Sequence, residues 1–425
     1  MALLFTTLLM VGVLACTYGY QNGYGSNDHV RIQRIADNSG LVARDGKKIR
    51  IHRKSKRDGY TEYAYQLPDG LSSQMFRDKL DRFQDGLNVK RSVLDVSLAD
   101  LKAINWGGDI IAEIKALIAR KRKQRKEVEL DFDGMLIFRV YEEGLPEYYE
   151  FTEADLNRMK GWQVPVGVSR LKYLTHDFDK IPHLIVAGTT DFGKSNWLKS
   201  TITTLIHRKP DNATFTLIDL KGGLSFNRYR DVKQVETIAK SPQEALEALQ
   251  AVQDRMNATM DYLIAHNYED VKEAGLHDRH FIVIDEAADI ADHKGCVDII
   301  KDIARRGRAA GYRLIYSTQY PTAQTVDSQV KRNCLARLCF VLDTAIASTV
   351  VLDKAGAESL PLIKGRAIYK TVKCTEVQTP YIANEFISTT IYPHINIRPR
   401  KEPEHAKTNQ PPAERRTYTL ELEEV

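Results

Sequence analysis

HLIVAGTTDFGKSNWLKSTITTLI, residues 183–206, decides the fold. Leu184–Ala187 is apolar at every position, the pattern of a strand buried on both faces. A loop follows, Gly188-Thr189-Thr190-Asp191-Phe192-Gly193-Lys194-Ser195, and then a helical stretch beginning at Asn196. The loop matches GxxxxGK[ST], and its place between strand and helix is the context that the motif needs. Its glycines let the backbone wrap an anion, with N–H groups and a helix N-terminus pointing at phosphate oxygens. Residues 188–196 are therefore the candidate nucleotide-binding stretch. In it Lys194 would reach the β- and γ-phosphates, and Ser195 would ligate Mg²⁺.

Further along lie four more short apolar runs separated by helical stretches: Phe215–Leu220, Phe281–Ile284, Leu314–Ser317 and Leu338–Leu342. Such alternation predicts an α/β fold with a mostly parallel sheet covered on both faces. The run at 281–284 ends in Asp285-Glu286, two carboxylates at the C-terminal end of a strand. Asp285 is the candidate second Mg²⁺ ligand and Glu286 the candidate general base for the attacking water. Thr318-Gln319 closes another strand, where Gln319 can sense the γ-phosphate. Arg305, Arg306 and Arg308 precede that strand, and an arginine there can enter a neighbouring subunit's site and stabilise transition-state charge. The NKxD base-recognition motif of GTPase switches is absent from the sequence, so ATP is the expected nucleotide.

Around this core the composition is ordinary. The 425 residues carry a formal charge of +5 and five cysteines without metal-ligand spacing, read as scattered thiols in a reduced compartment. A mildly basic balance fits an anionic partner but does not identify one. Residues 1–27 contain no charged side chain, and 1–20 form a hydrophobic segment just long enough to span a membrane. The basic flank from Arg44 to Arg57 then places the rest in the cytoplasm: a single-pass cell-membrane protein, with a wholly cytoplasmic one as the alternative. Residues 28–160 read as a smaller α+β domain. Strands and turns are expected over 28–60, a strand at Tyr63–Leu67, a helix from Ser72-Ser73 through Phe83, a helix over 109–126 ending in a basic run, and a strand at Met135–Tyr141. Residues 161–385 form the motor domain. Residues 386–425, rich in Pro, Lys, Arg and Glu, read as a flexible tail.

Five stretches in order carry a resemblance: IPHLIVAGTTDFGKSNWLKSTITTLI (181–206), TFTLIDLKGGLSFNRY (214–229), FIVIDEAADI (281–290), IARRGRAAGYRLIYSTQYP (303–321) and KAGAESLPLIKGRAIY (354–369). Together they resemble the FtsK/SpoIIIE DNA translocases. That resemblance implies a RecA-like motor domain whose hexameric ring hydrolyses ATP between subunits and moves DNA. It also implies phosphate and metal roles for Lys194 and Ser195, hydrolytic roles for Asp285 and Glu286, a sensor role for Gln319, and a finger acting in trans for Arg308. Two departures stand out. The family's usual GSGKS is DFGKS here, placing the acidic Asp191 beside the phosphates, and TQRP is Thr318-Gln319-Tyr320-Pro321. A C-terminal winged helix is not expected within these residues, and YAYQLPDGLS (63–72) resembles the FtsK-type coupling proteins of conjugative elements and plasmids. The expectation is a DNA translocase for such transfer, partnered by a relaxase or other transfer machinery. The alternatives are a chromosome-segregation translocase, a secretion-type ATPase moving protein, and a viral packaging motor. Arg228, Arg230, Lys331 and Arg332 are candidate pore residues.

Overall fold

The computed structural model describes residues 28–88, 126–142 and 144–395. Its first elements are α1 (Asp28–Asn38), β1 (Arg50–Arg57), β2 (Tyr60–Gln66), α2 (Ser73–Arg77), α3 (Leu80–Leu87), β3 (Glu127–Phe132) and β4 (Leu136–Tyr141). The strands pair antiparallel in the order β1-β2-β4-β3. Alternation selects one face: Tyr63, Tyr65, Leu136, Phe138 and Val140 point to the helices and meet Ile32, Ala36, Phe76, Phe83 and Leu87. Residues 28–60 thus differ from the expectation of strands and turns, since they open with the helix α1. Only Ile32 and Ala36 of that helix are buried, an apolar stripe too thin for periodicity to register. The helix expected from Ser72-Ser73 is broken into α2 and α3, and the Ser72 side chain makes no capping hydrogen bond.

The chain continues as α4 (Glu153–Arg158), β5 (Gln163–Val168), β6 (Tyr173–Asp177), β7 (Leu184–Ala187), α5 (Lys194–Arg208), β8 (Ala213–Ile218), β9 (Val235–Ala239) and α6 (Pro242–Ala265). Then come β10 (Arg279–Ile284), α7 (Lys294–Arg306), β11 (Tyr312–Thr318), α8 (Ser328–Asn333), β12 (Ala336–Phe340), α9 (Ala345–Leu352), β13 (Arg366–Lys370), β14 (Cys374–Gln378) and α10 (Asn384–Ile391). One ten-stranded sheet results, ordered β6-β5-β14-β13-β12-β7-β11-β10-β8-β9. From β12 to β9 every pairing is parallel, and β13, β14, β5 and β6 extend it antiparallel.

The parallel part explains why its strands read as unbroken apolar runs. Leu184, Val186, Phe281, Val283 and Ile315 enter one layer, with Trp197, Leu198, Ile202 and Leu205 of α5. Ile185, Ala187, Ile282, Ile284 and Leu314 enter the opposite layer, with Leu249 and Val252 of α6 and Ile299, Ile300 and Ile303 of α7. Helix α5 is buried almost all round, so its hydroxyls need internal partners. Thr204 donates to the Ser200 carbonyl at 2.7 Å and Ser200 to the Trp197 carbonyl at 2.8 Å.

The motor core also runs past the expected start of the tail. Residues 386–391 belong to α10, and Ile387 and Ile391 pack into the α5 layer. Two buried isoleucines on one helical face are enough to order a segment whose downstream composition is polar. Among the described residues no helix is long and apolar enough to cross a membrane. The hydrophobic segment 1–20, nearly all of the helix expected over 109–126 and residues 396–425 lie outside the described residues. Of the described cysteines, Cys296, Cys334 and Cys339 are buried and Cys374 is half-buried, all as free thiols.

Candidate nucleotide site

The phosphate loop leaves the C-terminal end of β7 and is pressed against its neighbours. A Cβ on Gly188 would lie 2.5 Å from the Phe340 Cβ, so only glycine lets the chain turn there. Gly193 has φ +111° and caps α5 without a side chain; a Cβ there would come within 3.2 Å of the Gly365 backbone. The Gly365 N–H donates to the Phe192 carbonyl at 2.9 Å, so the 364–365 turn braces the loop from outside. Beyond Gly193, the first N–H groups of α5 have no intrahelical acceptor and face the loop, as anion binding requires.

Lys194 is buried, with 4% of its surface exposed. Its Nζ donates to the Asp285 carbonyl at 2.6 Å and lies 3.8 Å from Asp285 Oδ1 and 3.6 Å from Glu286 Oε2. A buried ammonium is costly unless paired, and these two carboxylates at the end of β10 offset that cost. Ser195 Oγ donates to Asp285 Oδ1 at 3.4 Å, while Ser225 Oγ donates to Asp285 Oδ2 at 3.0 Å. The donor set suits Mg²⁺, which takes one or two protein oxygens and completes its shell with water and phosphate rather than an all-protein cage. The described residues contain no cluster of three or more His, Cys, Asp or Glu able to hold a metal.

Glu286 is fixed by β11. Thr318 Oγ1 donates to Glu286 Oε1 at 2.8 Å and the Gln319 N–H to Oε2 at 2.9 Å. The Gln319 side chain in turn accepts from Thr190 Oγ1 at 2.9 Å. One residue thereby links the candidate base to the phosphate loop, a wiring that suits a γ-phosphate sensor.

Asp191 resolves the oddity of an acid in this loop. It adopts φ +71°, and its carboxylate turns outward to Lys364 Nζ at 2.5 Å. Asn196 holds the scaffold: its side-chain amide donates to the Ile382 carbonyl and accepts from the Ile382 N–H, both at 2.9 Å. Residues 188, 189, 190 and 193–196 thus sit together, but Asn196 is occupied by backbone. Phe192 packs inward against the core layers.

Arg308 is placed elsewhere. It lies in the turn before β11, whereas Gln319 follows that strand's far end, about 20 Å away. Of the three arginines, Arg305 and Arg306 both pair with Asp302, and Arg306 also donates to Asn257 at 2.8 Å. Arg308 has no ion-pair partner among the described residues, and its carbonyl accepts from the buried Arg313 at 3.2 Å. The pore candidates are not gathered into one patch. Arg228 lies beside Tyr229 on the α5 layer and donates to Ser388 at 2.8 Å, while Lys331 lies beside Val330 on the opposite layer and pairs with Asp353 at 2.7 Å.

Sequence reasoning missed several contributors. Asp219, ending β8, accepts from the Lys221 and Ser225 N–H groups at 3.1 and 2.7 Å and so presents Ser225 to Asp285. The signal for this turn was present, an Asp closing an apolar run ahead of Gly222-Gly223. Lys364 and Gly365 come from a stretch quoted only for its family likeness. Tyr148, Tyr149, Gln378, Thr379, Pro380 and Tyr381 complete the wall of a cleft of about 470 Å³ over the loop.

A parallel sheet in which the phosphate-loop strand and the carboxylate-bearing strand are separated by one strand, β11, that supplies Gln319 is the layout of a P-loop ATPase domain. Residues 156–290 match the model of the FtsK/SpoIIIE family. The DNA translocase FtsK of Leptospira interrogans serovar copenhageni is 33% identical over 235 residues, 51% of this chain. That match spans a quarter (25%) of the relative's length. Among solved structures, the conjugation coupling protein TcpA of pCW3 shares the fold with a TM-score of 0.57, at 18% identity, over 87% of this chain and 99% of its own. The cytoplasmic domain of the Thermomonospora curvata type VII secretion ATPase EccC aligns with a TM-score of 0.50 at 21% identity, over 63% of this chain and 35% of its own.

Proposed function

We propose that the protein is an ATP-driven DNA translocase whose subunits form a ring because each site needs a neighbour, and that it serves conjugative or plasmid DNA transfer. The observation that carries the reading is the split site. Lys194, Ser195, Asp285, Glu286 and Gln319 meet at one end of the sheet, while the free Arg308 stands at the other. Only another subunit can bring such an arginine to the phosphates. DNA as cargo is supported by the 33% identity to a DNA translocase over half the chain. The conjugative setting rests on architecture: the likeness to TcpA runs through the domain ahead of the motor as well as the motor. The segment 1–20 would anchor the ring to the membrane with the motor on the cytoplasmic side.

In this reading the loop N–H groups and Lys194 bind the phosphates, exchanging the Asp285 carbonyl for phosphate oxygen. Ser195 and Asp285 would hold Mg²⁺, which would supply neutralising charge at the phosphates. Glu286, steadied by Thr318 and Gln319, takes the proton of the attacking water. Gln319 reports the phosphate state from Thr190 to the carboxylate.

ATP turnover by the full chain, measured with and without duplex DNA across a salt series, tests the cargo. Stimulation by DNA that fades steeply with salt is expected, because phosphate contacts dominate such binding. The fold shared with EccC makes protein transport the competing reading; turnover indifferent to DNA but raised by a secreted protein would favour it.

A further inference from the structure

Tyr148 and Tyr381 form the outer wall of the cleft, with ring centroids 5.8 Å apart and planes tilted by 42°. They expose 59% and 49% of their surface. Neither hydroxyl has a hydrogen-bond partner among the described residues, so polar anchoring does not account for their placement. Their backbones, by contrast, are fixed. The Tyr381 N–H donates to the Tyr149 carbonyl at 2.7 Å and the Phe151 N–H to the Tyr381 carbonyl at 2.8 Å. One residue further on, Ile382 is clamped by Asn196, the residue immediately after Ser195. The rings are thus rigidly tied to the first turn of α5, at the side of the cleft away from Asp285 and Glu286.

We propose that Tyr148 and Tyr381 are the base-binding platform of the nucleotide site, stacking on the purine whose phosphates the loop holds. This inference rests on the nucleotide reading of the loop and adds the residues that hold the other end of the ligand. The chemistry fits: the cleft's phosphate end is built of N–H groups and an ammonium, while Tyr148 and Tyr381 present two aromatic faces. Pro380 lines the same wall and offers a further apolar surface. The strand bridge between Glu150 and Tyr381 sets the two rings before any ligand arrives, so little ordering entropy opposes stacking.

Calorimetric titration of the full chain with Mg²⁺-ATPγS and, separately, with inorganic tripolyphosphate tests this. Tyr381→Ala and Tyr148→Ala are each expected to weaken ATPγS about tenfold, the scale of one lost base–aromatic stack. Tripolyphosphate, which has no base, should bind both variants as it binds the wild type. Tyr381→Phe should keep wild-type affinity for ATPγS, since the ring and not the hydroxyl stacks. Equal losses for both ligands would assign the tyrosines to the shape of the loop, and unchanged ATPγS affinity in both alanine variants would remove them from the site; either overturns the proposal. A wild type that binds neither ligand would instead bring down the nucleotide reading itself.

Discussion

At their C-terminal ends the parallel strands present groups that already satisfy one another. Lys194 is enclosed by Asp285 and Glu286, Glu286 is held by Thr318 and Gln319, and Gln319 reaches Thr190. The N-terminal ends are built differently. There Asp179 is clamped by Arg279 and Arg313 at 3.0 and 2.9 Å, His183 and His280 are buried, and Arg308, unlike Arg305 and Arg306, has no ion-pair partner among the described residues. Burial works to raise the Asp179 carboxyl, but hydrogen bonds from Arg279 and Arg313 outweigh it and hold it below its ordinary range. One end is a finished pocket lacking a positive finger; the other is a rigid base that displays one. On the proposed reading, the contrast is what lets a single chain carry a site completed by a second copy.

Breaking the far end should have the largest effect. Arg308→Ala is expected to lower kcat about 10³-fold or more, the worth of an arginine finger, with ATPγS affinity in isolated subunits unchanged. The near end comes next: Glu286→Gln should slow turnover by about 10²–10⁴-fold, a general base's share, while ATPγS still binds. Steady-state ATPase assays beside calorimetry separate these two outcomes.

Acid should act on the far end through its histidines. Burial pushes His183 and His280 down to about 3, with Arg313 and Arg308 adding to the effect at His183 and Arg255 at His280. Below pH 6.5 the unfolded chain binds protons that these folded imidazoles refuse. Each therefore costs about 1.4 kcal/mol of stability per pH unit down to about pH 3, and nothing above pH 6.5. Denaturant unfolding followed from pH 7.5 to 5 should show that loss, and His183→Asn should make it shallower by one histidine's share, about 1.4 kcal/mol per pH unit. The smallest effect concerns Asp191. Lys364→Ala leaves its carboxylate unneutralised beside the phosphates and should weaken ATPγS about fivefold at most, since an exposed pair is worth about 1 kcal/mol or less. Adding Asp191→Gly should restore the affinity, glycine also suiting φ +71°.

Much of the near end was legible in the sequence because its logic is local. A buried strand, a glycine loop and a helix are contiguous, and Asp285-Glu286 and Thr318-Gln319 each end an apolar run. The far end was legible only by likeness, since what singles out Arg308 is that Asp302 occupies Arg305 and Arg306, a fact of three-dimensional pairing. Tyr148 and Tyr381 were invisible for the same reason: they meet only through the bridge between Glu150 and Tyr381. Two buried residues on α1 and two on α10 gave too little periodicity against polar surroundings, so a helix was missed and the tail was begun too early.

The central claim, a site shared between subunits, is tested most directly by mixing two inactive variants. Lys194→Ala lacks the phosphate lysine but keeps Arg308; Arg308→Ala lacks the finger but keeps the phosphate loop. If the finger acts in trans, ATPase activity returns when the two are mixed, because some interfaces then pair an intact loop with an intact arginine. Activity that stays at the level of the separate variants at every mixing ratio would contradict it.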